Sequence, residues 1–115
     1  MTTLEDIRRI ALALPGAIEV DYRGNWFQVG KKAFVLYSAT DDCWIFKLPH
    51  ARQELLFEAR PEVFRPYRAG ALRWSYVDVD ALTLAEAEDY VTDAWTTIVP
   101  KKVSGAYLAR AIGPD

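Results

Sequence analysis

The sequence has one cysteine, one histidine and no long apolar run. Because Cys43 is alone, no internal disulfide can form, and because His50 is alone, there is no Cys/His cluster at zinc-ligand spacing. We therefore expect no metal and no other cofactor. No apolar run reaches the roughly 18 residues of a membrane span, and the opening MTTLEDIRR is unlike a signal peptide. A protein of the reducing cytoplasm, without a membrane partner, is expected.

Catalytic constellations are also missing from the sequence. Cys43 and His50 are seven residues apart, with no orienting acid beside them. The aspartate pairs at 41–42 and 78/80 fall in a turn and at a strand end, where aspartate is common for backbone hydrogen bonding. We predict that the protein is not an enzyme.

Length and composition indicate one globular domain spanning residues 1–115. A chain of 115 residues, 51% hydrophobic, 13% aromatic and 26% charged, is long enough to bury a core and is unlike a disordered chain. It should fold alone, and we expect a monomer.

Charge is unevenly distributed although the net charge is only -2. Residues 23–73 carry nine Lys/Arg and five Asp/Glu, whereas residues 74–115 carry three Lys/Arg and seven Asp/Glu. A basic middle and an acidic late segment can orient a charged partner even when the net charge is small.

An antiparallel meander is predicted in the first half of the chain. Alternation of β-branched and aromatic with polar residues, interrupted at turn residues, predicts strands over 18–22, 26–29, 32–38 and 43–48. A further strand is predicted over 73–79, with Trp74 and Tyr76 on one face and Ser75 and Val77 on the other. The segment 61–72, with two prolines and Gly70, is predicted to be an ordered loop.

Helices are predicted before, between and after these strands. Thr3 caps a helix over 3–14, and Pro15-Gly16 ends it. Pro49 opens a short helix in which Leu55, Leu56 and Ala59 form the apolar face. A capping box at Thr83 begins the longest helix, and Pro100 begins a final one. The order α-β-β-β-β-α-β-α-α predicts an α+β domain in which helices flank an antiparallel sheet of about five strands.

The four tryptophans divide into two pairs. Trp44 and Trp95 have apolar neighbours on a strand and on a helix stripe, which predicts that both are core residues. Trp26 follows a turn glycine and Trp74 follows Arg73, so both positions fit either structural packing or stacking on a base or a flat ligand.

Several segments together resemble the MmcQ/YjbR family of small bacterial proteins. The similarity lies in DIRRIALALPGAIEVDYRGNWFQVGKKAFVLY (residues 6–37), in Pro66-Tyr67 and Gly70, in the strand around Trp74, and in Val99-Pro100-Lys101-Lys102. The resemblance implies a sheet flanked by helices, likened to a double-wing DNA-binding arrangement and to secretion-chaperone-like α+β domains. It implies no catalytic residues, and Lys31-Lys32 matches the family's basic hairpin.

We therefore hypothesise a non-enzymatic DNA-binding domain in which a basic hairpin wing and an arginine-rich loop contact phosphates. Its predicted nucleic-acid-binding residues are Arg23, Lys31, Lys32, Arg65, Arg68 and Arg73 for phosphates, with Trp26 and Trp74 for stacking. Two alternatives stay open. One is a chaperone-like module that binds a protein or peptide on the sheet face or edge. The other is a small-molecule binder with a pocket between sheet and last helix, lined by Tyr22, Trp26, Trp74 and Tyr90.

Overall fold

The computed structural model describes residues 2–21, 24–68 and 71–112, with the backbone alone at 68, 71–73 and 110–112. In these residues the chain forms four α-helices and six strands: α1 Leu4–Leu12, β1 Ala17–Asp21, β2 Asn25–Val29, β3 Lys32–Ser38, β4 Cys43–Phe46, α2 His50–Ala59, β5 Phe64–Arg68, β6 Ala71–Val77, α3 Leu84–Thr96 and α4 Lys101–Ile112. A 3-10 turn, Val79–Ala81, precedes α3. The predicted α+β class is confirmed. Within the described residues no helix combines the length and the apolar character that a bilayer span needs.

The strands form one antiparallel sheet in the order β1-β2-β3-β4-β6-β5. The first four strands follow one another as hairpins. Helix α2 separates β4 from the second hairpin, in which β6 pairs with β4 and β5 takes the outer edge. The sheet therefore has β1 and β5 as its edges.

The loop predicted over 61–72 is wrong, because Phe64–Arg68 is the edge strand β5. Pro66 lies within that strand, a position that an edge tolerates because one side of the strand needs no N–H donors. The ladder shifts register between Pro66 and Arg68. With β5 included, the described sheet has six strands rather than about five. Strand β6 begins at Ala71, two residues earlier than predicted.

The helix starts follow the predicted capping signals. In α1 the amide of Asp6 donates to Thr3 Oγ1 at 3.2 Å, and the amide of Thr3 donates to the Asp6 carboxylate at 2.9 Å. The same reciprocal pair links Thr83 and Glu86 at the start of α3, at 3.1 and 3.0 Å. Each box satisfies amides that the first helical turn leaves without an intrahelical partner.

The main core lies between the helices and one face of the sheet. Helices α1 and α3 contact the β1–β4 part of the sheet, and α2 contacts β5 and β6. Trp95 is fully buried and Trp44 is 7% exposed, so both predicted core tryptophans are confirmed. The Trp95 Nε1–H donates to the carbonyl of Pro15 at 3.1 Å, and its ring meets Tyr107 of α4 edge-on at 5.2 Å. These contacts join α3 to the turn after α1 and to α4.

Strand β3 departs from simple alternation at Phe34. Both Phe34 and the next residue, Val35, are fully buried in the main core. The ladder between β2 and β3 shifts register between Phe27 and Gln28, which places an extra residue in β3. A bulge of this kind lets two consecutive side chains point towards one face.

Helix α2 is held by a buried amide rather than by the predicted apolar stripe. Leu56 is buried, but Leu55 is 69% exposed and Ala59 is exposed, so that predicted face is wrong. The fully buried Gln53 donates to the carbonyl of Leu48 at 2.7 Å and accepts from Ser75 Oγ at 2.9 Å. This amide connects α2 to the chain after β4 and to β6. Buried polar groups are normally hydrogen-bonded in this way, because leaving them unpaired is costly.

Glu19 joins α1 to the first hairpin, and this contact should depend on pH. Its carboxylate accepts from Arg8 at 2.8 and 3.0 Å and from the Asn25 side chain at 2.8 Å. The hydrogen bonds from Arg8 hold the pKa of Glu19 below its ordinary value of 4.5. Since the folded pKa is the lower one, the contribution to stability is complete above the ordinary value and is lost as the pH falls through the folded pKa.

We expect Glu19→Gln to lower the free energy of unfolding by about 1 kcal/mol at pH 7. The difference from the parent protein should shrink as the pH falls through the lowered folded pKa, because the parent carboxylate then loses its charge. Urea unfolding at pH 7 and at an acidic pH below the folded pKa measures this. Glu5→Gln is the control, because Glu5 also meets Arg8 but is 75% exposed. Equal losses at both pH values would contradict the assignment.

Candidate functional site

Lys31 and Lys32 are exposed at the hairpin between β2 and β3. Gly30, which begins this turn, has φ +60, a conformation that glycine adopts without strain. Because β3 runs away from this turn, the lysines mark one end of the sheet. We call it the hairpin end.

The second hairpin opens at the same end of the sheet. Strand β4 runs antiparallel to β3, and β6 runs antiparallel to β4, so β6 begins and β5 ends at the hairpin end. Arg68 and Arg73 lie in the two strands that flank this connection. Strands β3 and β6 are two interstrand spacings apart, which is about 10 Å. Four of the predicted basic positions thus share one end, although the structure describes only the backbone of Arg68 and Arg73. Arg23 lies outside the described residues.

Arg65 is placed elsewhere. Its neighbour on β6 is Tyr76, whose neighbour on β4 is Ile45. Ile45 in turn pairs with Leu36 of β3, four residues after Lys32. Arg65 is therefore three interstrand spacings and four residues along the strand from Lys32. These two displacements combine to a distance of about 20 Å. Its guanidinium lies 5.6 Å from the centre of the Tyr76 ring and 3.9 Å from Cys43 Sγ.

The acidic late segment neutralises part of the basic middle. Arg52 pairs with Asp93 of α3 at 3.0 Å, and Arg60 pairs with Glu86 at 2.8 Å. These two arginines therefore tie α2 and its C-terminal end to α3. The sequence alone showed two oppositely charged segments but not that they pack against each other.

Trp26 and Trp74 lie on the face of the sheet opposite the main core, which we call the open face. Trp26, Leu36, Ile45 and Tyr76 follow one another as cross-strand neighbours on this face. Trp26, Leu36 and Ile45 also line a pocket of about 490 Å³ beside the turn after β3, which we call the open-face pocket. It is lined by Trp26, Leu36, Ser38, Thr40, Asp41, Ile45, Tyr67 and Trp74.

The expected position of the aromatic pocket is therefore only partly right. Tyr90 packs edge-on against Phe64 at 5.0 Å in the main core, on the other side of the sheet. Tyr22 lies outside the described residues. Leu36, Ile45 and Tyr67 were missed. Alternation with the core residue Trp44 could have placed Ile45 on this face. Leu36 and Tyr67 depend on the bulge in β3 and on strand β5, neither of which was predicted.

Asp41 is the charged group among the described residues that line the open-face pocket. Its backbone amide donates to Ser38 Oγ at 3.1 Å, and the Ser38 hydroxyl donates to its carboxylate at 3.2 Å. Burial raises the pKa of Tyr76, and the charge of Asp41 and a hydrogen bond to it raise that pKa further. The Ser38 hydroxyl thus holds the carboxylate at the pocket rim.

Cys43 and His50, the pair considered for nucleophilic catalysis, are not brought together. Cys43 begins β4 and contacts Arg65, and burial raises the pKa of its thiol, which favours the unreactive form. His50 begins α2, beyond the other end of β4, where it lies 3.7 Å from Glu54. The described residues contain no group of three His, Cys, Asp or Glu side chains placed to hold a metal.

Comparison with known proteins agrees with this architecture. The crystal structure of Deinococcus radiodurans protein DR2400, described as a DUF419 domain, is similar with a TM-score of 0.73 and 21% sequence identity, covering 100% of this chain and 91% of that one. This likeness concerns the fold. No curated protein gives a significant sequence match. The YjbR family model matches residues 12–97, which confirms the resemblance seen in the sequence, and the chain therefore belongs to the YjbR family.

Proposed function

We propose that this YjbR-family protein is a non-enzymatic DNA-binding domain that contacts phosphates with the hairpin end of its sheet. The observation that supports the proposal is topological. The antiparallel order β2-β3-β4-β6-β5 places the β2–β3 and β5–β6 hairpins at one end, and Lys31, Lys32, Arg68 and Arg73 belong to them. The family resemblance implies a double wing, and two basic hairpins at one end, separated by β4, support that expectation.

The distribution of charge favours this end over the rest of the basic middle. Arg52 and Arg60 are paired with α3 carboxylates, so their charge is largely compensated. Trp26 and Trp74 line the open-face pocket beside Asp41, whose negative charge disfavours phosphate. The proposal therefore rests on phosphate contacts from the hairpins and assigns no base stacking to the tryptophans. Such contacts give weak, strongly salt-dependent binding with little sequence preference.

Binding to a labelled DNA duplex, followed by fluorescence anisotropy, tests the proposal. If four basic side chains contact phosphates, the affinity should fall about 100-fold between about 50 and 200 mM salt. The Lys31→Glu/Lys32→Glu variant should bind at least about tenfold more weakly at the lower salt, and its salt dependence should shrink to about tenfold.

Arg65 provides the matched control for position. Arg65→Glu makes the same charge reversal as Lys31→Glu, but about 20 Å from the hairpin lysines. We expect Lys31→Glu to weaken binding several-fold more than Arg65→Glu. Equal effects would mean that DNA covers a larger surface than the hairpin end. No binding at low salt would overturn the proposal and leave the alternative of a protein or peptide partner.

A further inference from the structure

The open-face pocket has the size and walls of a small-molecule site. Its volume of about 490 Å³ falls within the range of roughly 300 to 1,000 Å³ that is usual for ligand pockets. Leu36 and Ile45 form an apolar floor and are only 7% and 4% exposed, although both lie outside the main core. Trp26, Tyr67 and Trp74 supply aromatic walls around this floor.

Among the residues that the structure describes, the charge at the pocket rim is negative. The rim carries the hydroxyls of Ser38 and Thr40 and the carboxylate of Asp41. Arg65 does not line this pocket; it lines a separate cavity of about 380 Å³ together with Asp42, Asp78 and Asp80. Asp41 accepts from Ser38, and a carboxylate retains further lone pairs for a ligand.

We propose that the open-face pocket binds a small organic cation, an ammonium group attached to an aromatic or alkyl body. The body would pack on Leu36 and Ile45, and the ammonium would lie between the aromatic faces and the Asp41 carboxylate. Aromatic faces attract cations through their quadrupole, and the attraction increases when the cation is desolvated. A hydrogen bond between two charged groups adds to it.

The same arrangement discriminates against other ligand classes. An anion of equal size would be repelled by Asp41 and would meet the negative faces of the rings. A neutral ligand would gain the apolar contact alone. Because the proposed DNA contacts lie at the hairpin end, this inference is independent of the proposed function.

The first experiment compares three probes of similar shape by isothermal titration calorimetry on the unmodified protein. They are phenethylammonium, 3-phenylpropionate and 2-phenylethanol, which differ in charge. We expect phenethylammonium to bind about tenfold more tightly than the alcohol, and the carboxylate to bind most weakly. Since this comparison needs no variant, it does not depend on how a substitution affects folding. Equal binding of the three probes, or no binding of phenethylammonium, would overturn the proposal.

The second experiment assigns the charge to Asp41. Asp41→Asn removes the charge with little change of size and should weaken phenethylammonium binding about tenfold, while leaving 2-phenylethanol binding unchanged. Asp42→Asn is the matched control. It removes the same charge from the next residue, whose φ of +49 asparagine tolerates, and whose carboxylate accepts from Tyr37. It should change binding less than twofold.

Trp74→Leu tests the aromatic wall of the open-face pocket. The leucine keeps an apolar side chain but lacks a ring, so binding of phenethylammonium should weaken more than binding of 2-phenylethanol.

Lys31→Glu/Lys32→Glu tests whether the open-face pocket is independent of the hairpin end. This variant should retain phenethylammonium binding even where DNA binding is lost. If Asp41→Asn and Asp42→Asn weaken binding equally, the effect is one of overall charge and the assignment of Asp41 is wrong.

Discussion

Replacing Gly24 by alanine should lower the free energy of unfolding by about 3 kcal/mol or more, which is a large part of the total for a small domain. Two separate effects act here. Gly24 has φ +136, a region open essentially to glycine alone, and a Cβ at this position would lie 2.0 Å from the backbone carbonyl oxygen of Tyr37. Because the obstacle is backbone in β3, no side-chain rotation relieves the clash.

The consequence reaches the open-face pocket. Gly24 precedes Trp26 by two residues, and its close neighbours, Tyr37 and Ala39, adjoin the pocket residues Ser38 and Thr40. If β2 moves away from the end of β3, the wall formed by Trp26 moves with it. Any Gly24→Ala protein that stays folded should therefore also bind phenethylammonium more weakly.

Gly30→Ala is the control for this prediction. Gly30 also has positive φ, at +60, but a Cβ there meets nothing within 4 Å, so only the backbone penalty of about 1 to 2 kcal/mol applies. The free energies of unfolding of the two variants, measured in urea, separate the cost of positive φ from the cost of the steric clash at Gly24. Equal destabilisation of both would show that the close approach at Gly24 relaxes freely.

Trp95→Ala should lower the free energy of unfolding by about 4 kcal/mol. The side chain is fully buried, and its removal leaves a cavity between α3, α4 and the sheet. It also leaves the carbonyl of Pro15 without the indole donor at 3.1 Å, which joins the turn after α1 to α3. The cavity and the lost hydrogen bond both weaken the packing of α3 against the turn after α1 and against α4, so both contribute to the lower stability.

Trp74→Ala is the matched control for the core tryptophan. It makes the same chemical change at a half-buried residue of the open face. We expect it to lower the free energy of unfolding by about 1 kcal/mol, because less apolar area is lost and water can fill the space. Urea unfolding compares the two. A loss for Trp95→Ala no larger than that for Trp74→Ala would contradict the assignment of Trp95 to the centre of the core.

Local signals in the sequence determined much of the fold. The caps at Thr3 and Thr83 and the stop at Pro15-Gly16 lie within a few residues of the helix ends that they specify. The alternation in β6 correctly separated Trp74 and Tyr76 from Ser75 and Val77, and the structure shows that Ser75 and Val77 are the buried pair. These features depend on backbone geometry and on the period of the apolar residues, both of which act over short distances along the chain.

The tertiary structure decided which segments meet. Strand β5 was hidden because Pro66 reads as a loop residue until the segment is known to be an edge. The burial of Gln53 depends on Leu48 and Ser75, and the pairing of Arg52 with Asp93 depends on how α2 packs on α3.

The two candidate surfaces show the same division. From the sequence, Arg65 belonged with the hairpin lysines, and Asp41 was an ordinary turn residue. Strand order and register separate Arg65 from Lys32 and bring Asp41 to the pocket of Trp26 and Trp74. Residue types and local periods determined the elements and the chemistry available. Where that chemistry converges was decided only by the pairing of strands that are distant in sequence. This pairing depends on how all the apolar faces of the chain are buried together.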